Sequence, residues 1–276
     1  MLLVCIAQPK KGKTHSNRLV RRNTVRLLTL ARDLRRRKAR DRNALFVVEG
    51  VRAGEELARS ALRIVGAVTS PQLTSNARGT ALRDVLTARN IEVTDVTTAE
   101  FESASETETP QGILIIAEIP RRALQDYGLS DPARVLVLDG IQDPGNVGTL
   151  VRTAAALGAT ATVALPGTVD LWNAKVVRSA MGAHFFHPAL HCTWDELRLF
   201  LDGARMPLWG ADARGKPVDR ATAPRRLALA VGNEGSGLSD ELRRSSPHFV
   251  ALPLADSVES LNVAVAAGIL LYELRP

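Results

Sequence analysis

At 276 residues the chain is long enough for one large or two modest domains with a proper core, and 45% hydrophobic with 24% charged residues is a globular composition. The formal net charge of +7 favours a polyanionic partner, while aromatics at only 4% leave few stacking platforms for single strands. The two cysteines, Cys5 and Cys192, form no C-x-x-C pair, which excludes a disulfide framework or zinc ribbon and fits a reducing compartment.

In chain order, Met1 to Ala7 is faintly signal-like but lacks a basic n-region and a full apolar run. It is read as a disordered or mis-started N-terminus, with the protein cytoplasmic and without a membrane span. Residues 1–22 are expected to be a flexible basic tail. A helix follows from Asn23, with the stripe Val25, Leu27, Leu28, Leu30, Ala31 and Leu34. It runs into Arg35, Arg36, Arg37, Lys38, Arg40 and Arg42, a cluster broken only by Ala39 and Asp41. Cations suit a helix C-terminus, but this many exceed what capping needs, so an RNA-phosphate patch is the favoured reading.

A small α/β unit is expected over 23–118: strand Leu45–Val48, helix Val51–Ala61, strand Ile64–Thr69, a helix within Ala77–Arg89, and strands Ile91–Val96 and Gly112–Glu118. Residues 119–134 carry prolines and charge without an apolar stripe and read as a linker. The second unit, 135–276, opens with strand Val135–Leu138 and helix Thr149–Leu157, the latter stopped by Gly158. Strand Ala161–Leu165, turn Pro166-Gly167, a helix within Asn173–Ala183, helix Asp195–Leu201 and strand Leu208–Ala211 continue the alternation. The close of the chain is its most distinctive stretch: strand Leu227–Val231, a glycine loop from Gly232 to Gly237, a short helix, strand Phe249–Leu252, a polar loop, and Val263–Leu274. The last segment is apolar on nearly every side, so it is expected in a core or an interface, with Ser260 or Asn262 as its cap. Polar loops beyond strand carboxyl ends are where α/β folds bind ligands.

Several chemistries are excluded. Gly140, Gly145 and Gly148 are not spaced as G-x-G-x-x-G, and strand Ala161–Leu165 ends without the acid that would hold a ribose. There is no G-x-x-x-x-G-K-[ST] phosphate loop, no H-E-x-x-H and no carboxylate cluster pointing to a metal; His184, His187 and His191 are expected in core or surface roles.

Three segments together carry a family signature: Asp143-Pro144-Gly145-Asn146-Val147-Gly148-Thr149-Leu150-Val151-Arg152-Thr153-Ala154, then Val231-Gly232-Asn233-Glu234-Gly235-Ser236-Gly237-Leu238, then Ser260-Leu261-Asn262-Val263-Ala264-Val265-Ala266-Ala267-Gly268. In order and spacing they resemble the motifs of the SpoU or TrmH-like RNA ribose 2′-O-methyltransferases, in the SPOUT class. More loosely, Phe46-Val47-Val48-Glu49-Gly50 and Thr109-Pro110-Gln111-Gly112 are similar to that family's smaller substrate-binding domain.

The resemblance implies an α/β domain with a parallel sheet, its carboxyl end threaded into a trefoil knot that holds S-adenosylmethionine, and a homodimer with the knot at its interface. It implies methyl transfer to a ribose 2′-hydroxyl, on ribosomal RNA in preference to transfer RNA, with no metal. A rival reading is a non-catalytic RNA-binding or ribosome-assembly protein. On the resemblance, Asn146, Arg152, Glu234, Ser260 and Asn262 form the active site. Glu234 is expected to hold the Arg152 guanidinium or a loop. The cofactor is expected against Leu165, Pro166, Gly167, Val231, Gly232, Asn233, Gly235, Leu252, Leu254, Ser260 and Leu261.

Overall fold

The protein is described here by a computed structural model covering residues 26–275 apart from 122, 129, 130, 256 and 259; the expected basic tail lies outside the described residues. Residues 26–33 form helix α1, which buries Leu27, Leu28 and Ala31. The helix does not continue into the basic cluster as expected. It breaks over residues 34–36 and resumes as α2 (Arg37–Asn43), which turns Ala39 and Arg40 inward. Arg40 is therefore not a phosphate contact: only 4% exposed, its guanidinium lies 2.5 Å from Asp170 and donates to the Leu34 and Arg35 carbonyls at 2.7 and 2.8 Å.

Strands β1 (Leu45–Glu49), β2 (Ile64–Thr69), β3 (Val93–Asp95) and β4 (Ile113–Glu118) make a sheet in the order β1-β4-β2-β3. β4 runs antiparallel to both of its neighbours and is covered on both faces, which is why Ile113 to Ala117 is one unbroken apolar run. Its period of two still sorts the layers. Ile113 and Ile115 meet α3 (Val51–Arg59) and α4 (Ala77–Ala88), whereas Leu114 and Ile116 meet α1 and Phe101 of α5 (Thr98–Glu102). α5 carries no apolar periodicity and is a short turn set by the capping box of Thr97 and Glu100.

The second unit is a six-stranded parallel sheet, in the order β10-β8-β9-β5-β6-β7. Its strands are β5 (Ala133–Asp139), β6 (Ala161–Ala164), β7 (Ala189–His191), β8 (Leu208–Pro217), β9 (Arg226–Gly232) and β10 (His248–Ala251). β5 begins two residues inside the expected linker, and the three-residue β7 was too short to stand out in sequence. Parallel pairing needs crossovers on both faces. Leu136 and Leu138 point to the layer of α6 (Pro144–Ala156), α7 (Ala174–Ser179) and α10 (Val263–Glu273). Val135 and Val137 point to α8 (Trp194–Ala204) and α9 (Asp240–Ser245).

The two units are welded by the Arg40–Asp170 pair and by Phe46, whose ring centroid lies 4.5 Å from that of Trp172. α10 buries Ala264, Ala267, Leu270 and Leu271 but leaves Val265, Ile269 and Tyr272 at 51%, 41% and 48% exposure, so within one chain its apolar surface is only half covered. Among the described residues no helix is long and apolar enough to cross a membrane.

Candidate active site

Three loops leave the carboxyl end of the parallel sheet and converge. The first follows β5. The chain turns at Gly140 and enters α6 with Pro144 in its first turn and Asp143 as cap, the Asp143 carboxylate accepting from Asn146 N at 2.8 Å. α6 lies close on α7 at Gly148, where a Cβ would fall 2.6 Å from the Val176 carbonyl oxygen; this position admits no side chain.

The second loop follows β9 and folds on itself. Asn233 and Gly237 exchange backbone hydrogen bonds at 2.9 Å each, and Asn233 Oδ1 accepts from Gly235 N and Ser236 N. Asn233 Nδ2 donates to Gly140 O at 2.9 Å, tying this loop to the first. The third loop ends at Asn262, whose Oδ1 caps α10 by accepting from Ala264 N at 2.9 Å.

A single hydrogen-bonded chain joins the three. Asn262 Nδ2 donates to Asn146 Oδ1 at 2.9 Å, and Asn146 Nδ2 donates to Glu234 Oε1 at 2.8 Å. The direction is forced. An ionised Glu234 only accepts, so Asn146 must turn its amide nitrogen there and its oxygen toward Asn262. The Asn262 oxygen is in turn claimed by helix N–H groups. Glu234 thus holds Asn146 rather than Arg152.

The loop after β6 is pinned alongside by Thr168, which no sequence pattern singled out. Its buried hydroxyl donates to Leu138 O at 2.9 Å and accepts from Gly140 N at 3.1 Å. Gly167, at φ 89°, sits in van der Waals contact with Gly140 and needs a glycine for its left-handed backbone. Pro166 and Gly167 are exposed beside that junction, Leu165 is buried behind them, and Val231 is buried at the end of β9. Leu252, Leu254, Ser260 and Leu261 lie on the connection from β10 to α10. Among the described residues Ser260 makes no hydrogen bond to the Asn146 chain, although it stands two positions before Asn262.

Arg152 is set apart. Six residues of helix place it about 9 Å along α6 from Asn146, exposed, with Nη1 2.7 Å from Met181 Sδ. A thioether is a weak acceptor that leaves the guanidinium charge unneutralised. Met181 was not foreseen either; it holds a left-handed conformation, φ 49°, that its side chain gives no reason to expect.

Of the expected RNA contacts, Arg35, Arg36, Arg37, Lys38 and Arg42 are exposed. Arg35 lies 3.3 Å from Glu106, Arg36 3.0 Å from Asp33 and Arg37 3.7 Å from Asp41, surface pairs that hold their partners weakly. The histidines are absorbed by the fold. His187 bonds Thr162 Oγ1 at 2.9 Å, and His191 accepts from Leu171 N at 3.1 Å. Burial pushes His187 down to about 4 and His184, edge-on to Trp172, down to about 3.

The assembled groups are amides, one carboxylate and open glycine backbone, which bind and orient rather than attack. Comparison with known proteins agrees in both halves of the chain. A family model for the SpoU rRNA methylase family matches residues 133–272, and one for an MRM3-like substrate binding domain matches residues 28–115. The chain is 35% identical over 243 residues to the 23S rRNA (guanosine(2553)-2′-O)-methyltransferase RlmP of Bacillus subtilis, covering 88% of this chain and 93% of that one. It is 31% identical to a 23S rRNA (uridine(2479)-2′-O)-methyltransferase of Streptomyces viridochromogenes, over 63% of each. Among solved structures, an AdoMet-bound rRNA methyltransferase from Sinorhizobium meliloti superposes with a TM-score of 0.78 at 28% identity, covering 90% of this chain and 94% of that one. The SpoU methyltransferase AviRb from Streptomyces viridochromogenes, in complex with AdoMet, gives 0.79 at 25% identity, covering 90% and 96%. With its three motif loops tied by hydrogen bonds into one site and more than half its length matched, the chain belongs to the SpoU rRNA methylase family.

Proposed function

We propose that this protein transfers a methyl group from S-adenosylmethionine to a ribose 2′-hydroxyl of ribosomal RNA. The observation that carries the reading is the Asn262–Asn146–Glu234 chain, which fixes three loops from distant parts of the sequence in one register. The residues fit the cofactor: Gly167 and Gly235 present exposed backbone without side chains on loops that are both tied to Gly140, by Thr168 and by the amide of Asn233. Bound there, S-adenosylmethionine supplies a methyl already activated on a sulfonium, so the protein needs neither a covalent intermediate nor a metal.

What remains for the chain is alignment and charge. Leu165 to Gly167, Val231 to Gly235, Leu252, Leu254 and Ser260-Leu261 grip the cofactor, and Asn146, Asn262 and Ser260 orient the ribose. Arg152 pairs with an RNA phosphate and stabilises the alkoxide as the 2′-hydroxyl loses its proton. It is not the base, since arginine stays protonated at neutral pH.

The reading includes a homodimer through the uncovered α10 face of Val265, Ile269 and Tyr272. It also includes a threaded carboxyl end. Threading is supported by the return of the chain from edge strand β10 across the carboxyl ends of β8 and β9 to α6. Ribosomal RNA as substrate goes with residence in the cytoplasm.

The test is transfer of labelled methyl to ribosomal and to transfer RNA, followed by nuclease mapping. Label on a ribose of ribosomal RNA is the expected result. Label on a base overturns the reaction, label on transfer RNA alone overturns the substrate, and no transfer overturns the activity.

A further inference from the structure

A second concavity lies between the two units, lined from the first by the start of α3 and from the second by the end of α7. On one wall β1 ends at Glu49 and the chain turns into α3 at Gly50, φ 100°. Gln111 Oε1 accepts from Val51 N at 2.8 Å and clips this corner to the chain entering β4. The Glu49 carboxylate is consumed within the wall, accepting from Thr107 Oγ1 at 2.6 Å, Glu106 N at 3.0 Å and Ser105 Oγ. On the facing wall stand Arg178 of α7 and Met181. Gly182 closes the seam: at φ 88° it abuts α3 so tightly that a Cβ would lie 2.7 Å from Glu56 Cβ. Between the walls is a groove of ≈ 360 Å³, within the range of small-ligand sites.

Its chemistry is one-sided. Arg52 reaches it from one unit and Arg178 from the other; both are exposed, and among the described residues neither guanidinium has a hydrogen bond or salt bridge. Arg152 stands at the rim, held by Met181 Sδ at 2.7 Å. The acid that lines the groove, Glu49, spends its oxygens on its own loop. The hydroxyl of Thr109 and the Nε2 donors of Gln111 complete the lining, and a guanidinium-and-donor lining of this kind suits a phosphodiester.

Resting on the methyl transfer proposed above, we propose that this groove takes one unpaired nucleotide of the RNA substrate adjoining the target. Arg52 and Arg178 contact its phosphate, and Gln111 donates to its base or sugar. RNA is read chiefly where bases are unstacked, and a groove of ≈ 360 Å³ is too small for a duplex. Because Arg52 and Arg178 belong to different units, the site exists only while the units are docked. The Met181 contact puts Arg152 within reach of the next phosphate.

The test uses the full chain with Arg52→Ala, Arg178→Ala, the double variant, and Arg198→Ala, which lies on α8 and pairs with Asp195, as control. Binding of a 23S ribosomal RNA fragment is measured against salt, with S-adenosylmethionine affinity as a check on folding. The double variant is expected to lose at least tenfold in RNA affinity and to flatten the log–log salt slope by about 1.4–1.8, with cofactor affinity unchanged. An unchanged slope beside a methyl-transferring wild type removes the groove and leaves the activity standing. A wild type that binds no ribosomal RNA removes both.

Discussion

The Asn146–Glu234 contact allows a test by charge exchange. Asn146→Asp keeps the shape of the side chain but sets a carboxylate against the Glu234 oxygen, now 2.8 Å from the amide nitrogen. Two unit charges at that distance repel by about 1.5 kcal/mol in water and about 6 kcal/mol at an effective dielectric of 20. The site is half-open and the loop can yield, so the lower end applies, about 2 kcal/mol. The loop over 233–237 is then driven from the position it holds now. A ligand that needs it closed loses affinity by the fraction of closed protein, about 30-fold for 2 kcal/mol. Glu234→Gln alone costs little, about threefold, because the introduced amide oxygen can still accept from Asn146. Combining the two reverses the polarity of the bond rather than breaking it: the new carboxylate accepts both from Asn262 Nδ2 and from the new amide. Calorimetric titration of S-adenosylmethionine into the four proteins forms a double-mutant cycle. The double variant is expected within about threefold of wild type; if it binds no tighter than Asn146→Asp, the hydrogen-bonded chain does not govern the loop.

Arg152→Ala is expected to abolish methyl transfer while S-adenosylmethionine affinity stays within a few-fold, since the guanidinium rests on Met181 rather than on a cofactor loop; single-turnover assays with saturating RNA decide it. Arg40→Ala leaves Asp170 buried without its cation and should cost about 3–5 kcal/mol in urea unfolding, against less than about 1 if the pair were a surface bridge. Replacing Arg35, Arg36 and Arg37 together with Ala should flatten the salt dependence of RNA binding by up to about 3 in log–log slope; no change would show that these residues serve only Glu106, Asp33 and Asp41. His184 and His187 are held neutral by burial, at about 3 and about 4, so the unfolded chain binds their protons first as pH falls below the ordinary value of 6.5. Their contribution is intact above pH 6.5 and lost below it, about 2 kcal/mol each at pH 5. A thermal midpoint that does not fall between pH 7 and pH 5 would contradict this.

The sheet of the second unit was legible in sequence because its strands are apolar runs punctuated by glycine, and Leu227 to Val231 was placed to within one residue at either end. The site motifs were legible because the segments holding Asn146, Glu234 and Asn262 together resemble one family's signature; taken singly, an asparagine such as Asn262 at a helix start has an ordinary role as a cap. Arg40 was misread because a run of cations shows no periodicity: only the break at 34–36 decides which of them turns inward to Asp170. Thr168 and Met181 act through what they touch across the fold, Leu138 O and Arg152, and a contact between distant segments leaves no local pattern. The terminal helix was expected to be covered all round. Half of that cover is absent within one chain, leaving Val265, Ile269 and Tyr272 exposed on the face assigned to the proposed homodimer.

The position of β9 beside β5 bears on how the protein is made. Val135 pairs with Ala228, roughly ninety residues later, whereas every strand of the first sheet lies within residues 45–118. At about 5–20 residues per second, the last strand of the first unit is synthesised roughly 5–22 s before β9. Until then β5 keeps one edge open, its other side being paired with β6 and β6 in turn with β7. The early unit offers the late one a surface on which to wait, through Phe46 against Trp172 and Arg40 against Asp170, both available well before the central strand arrives.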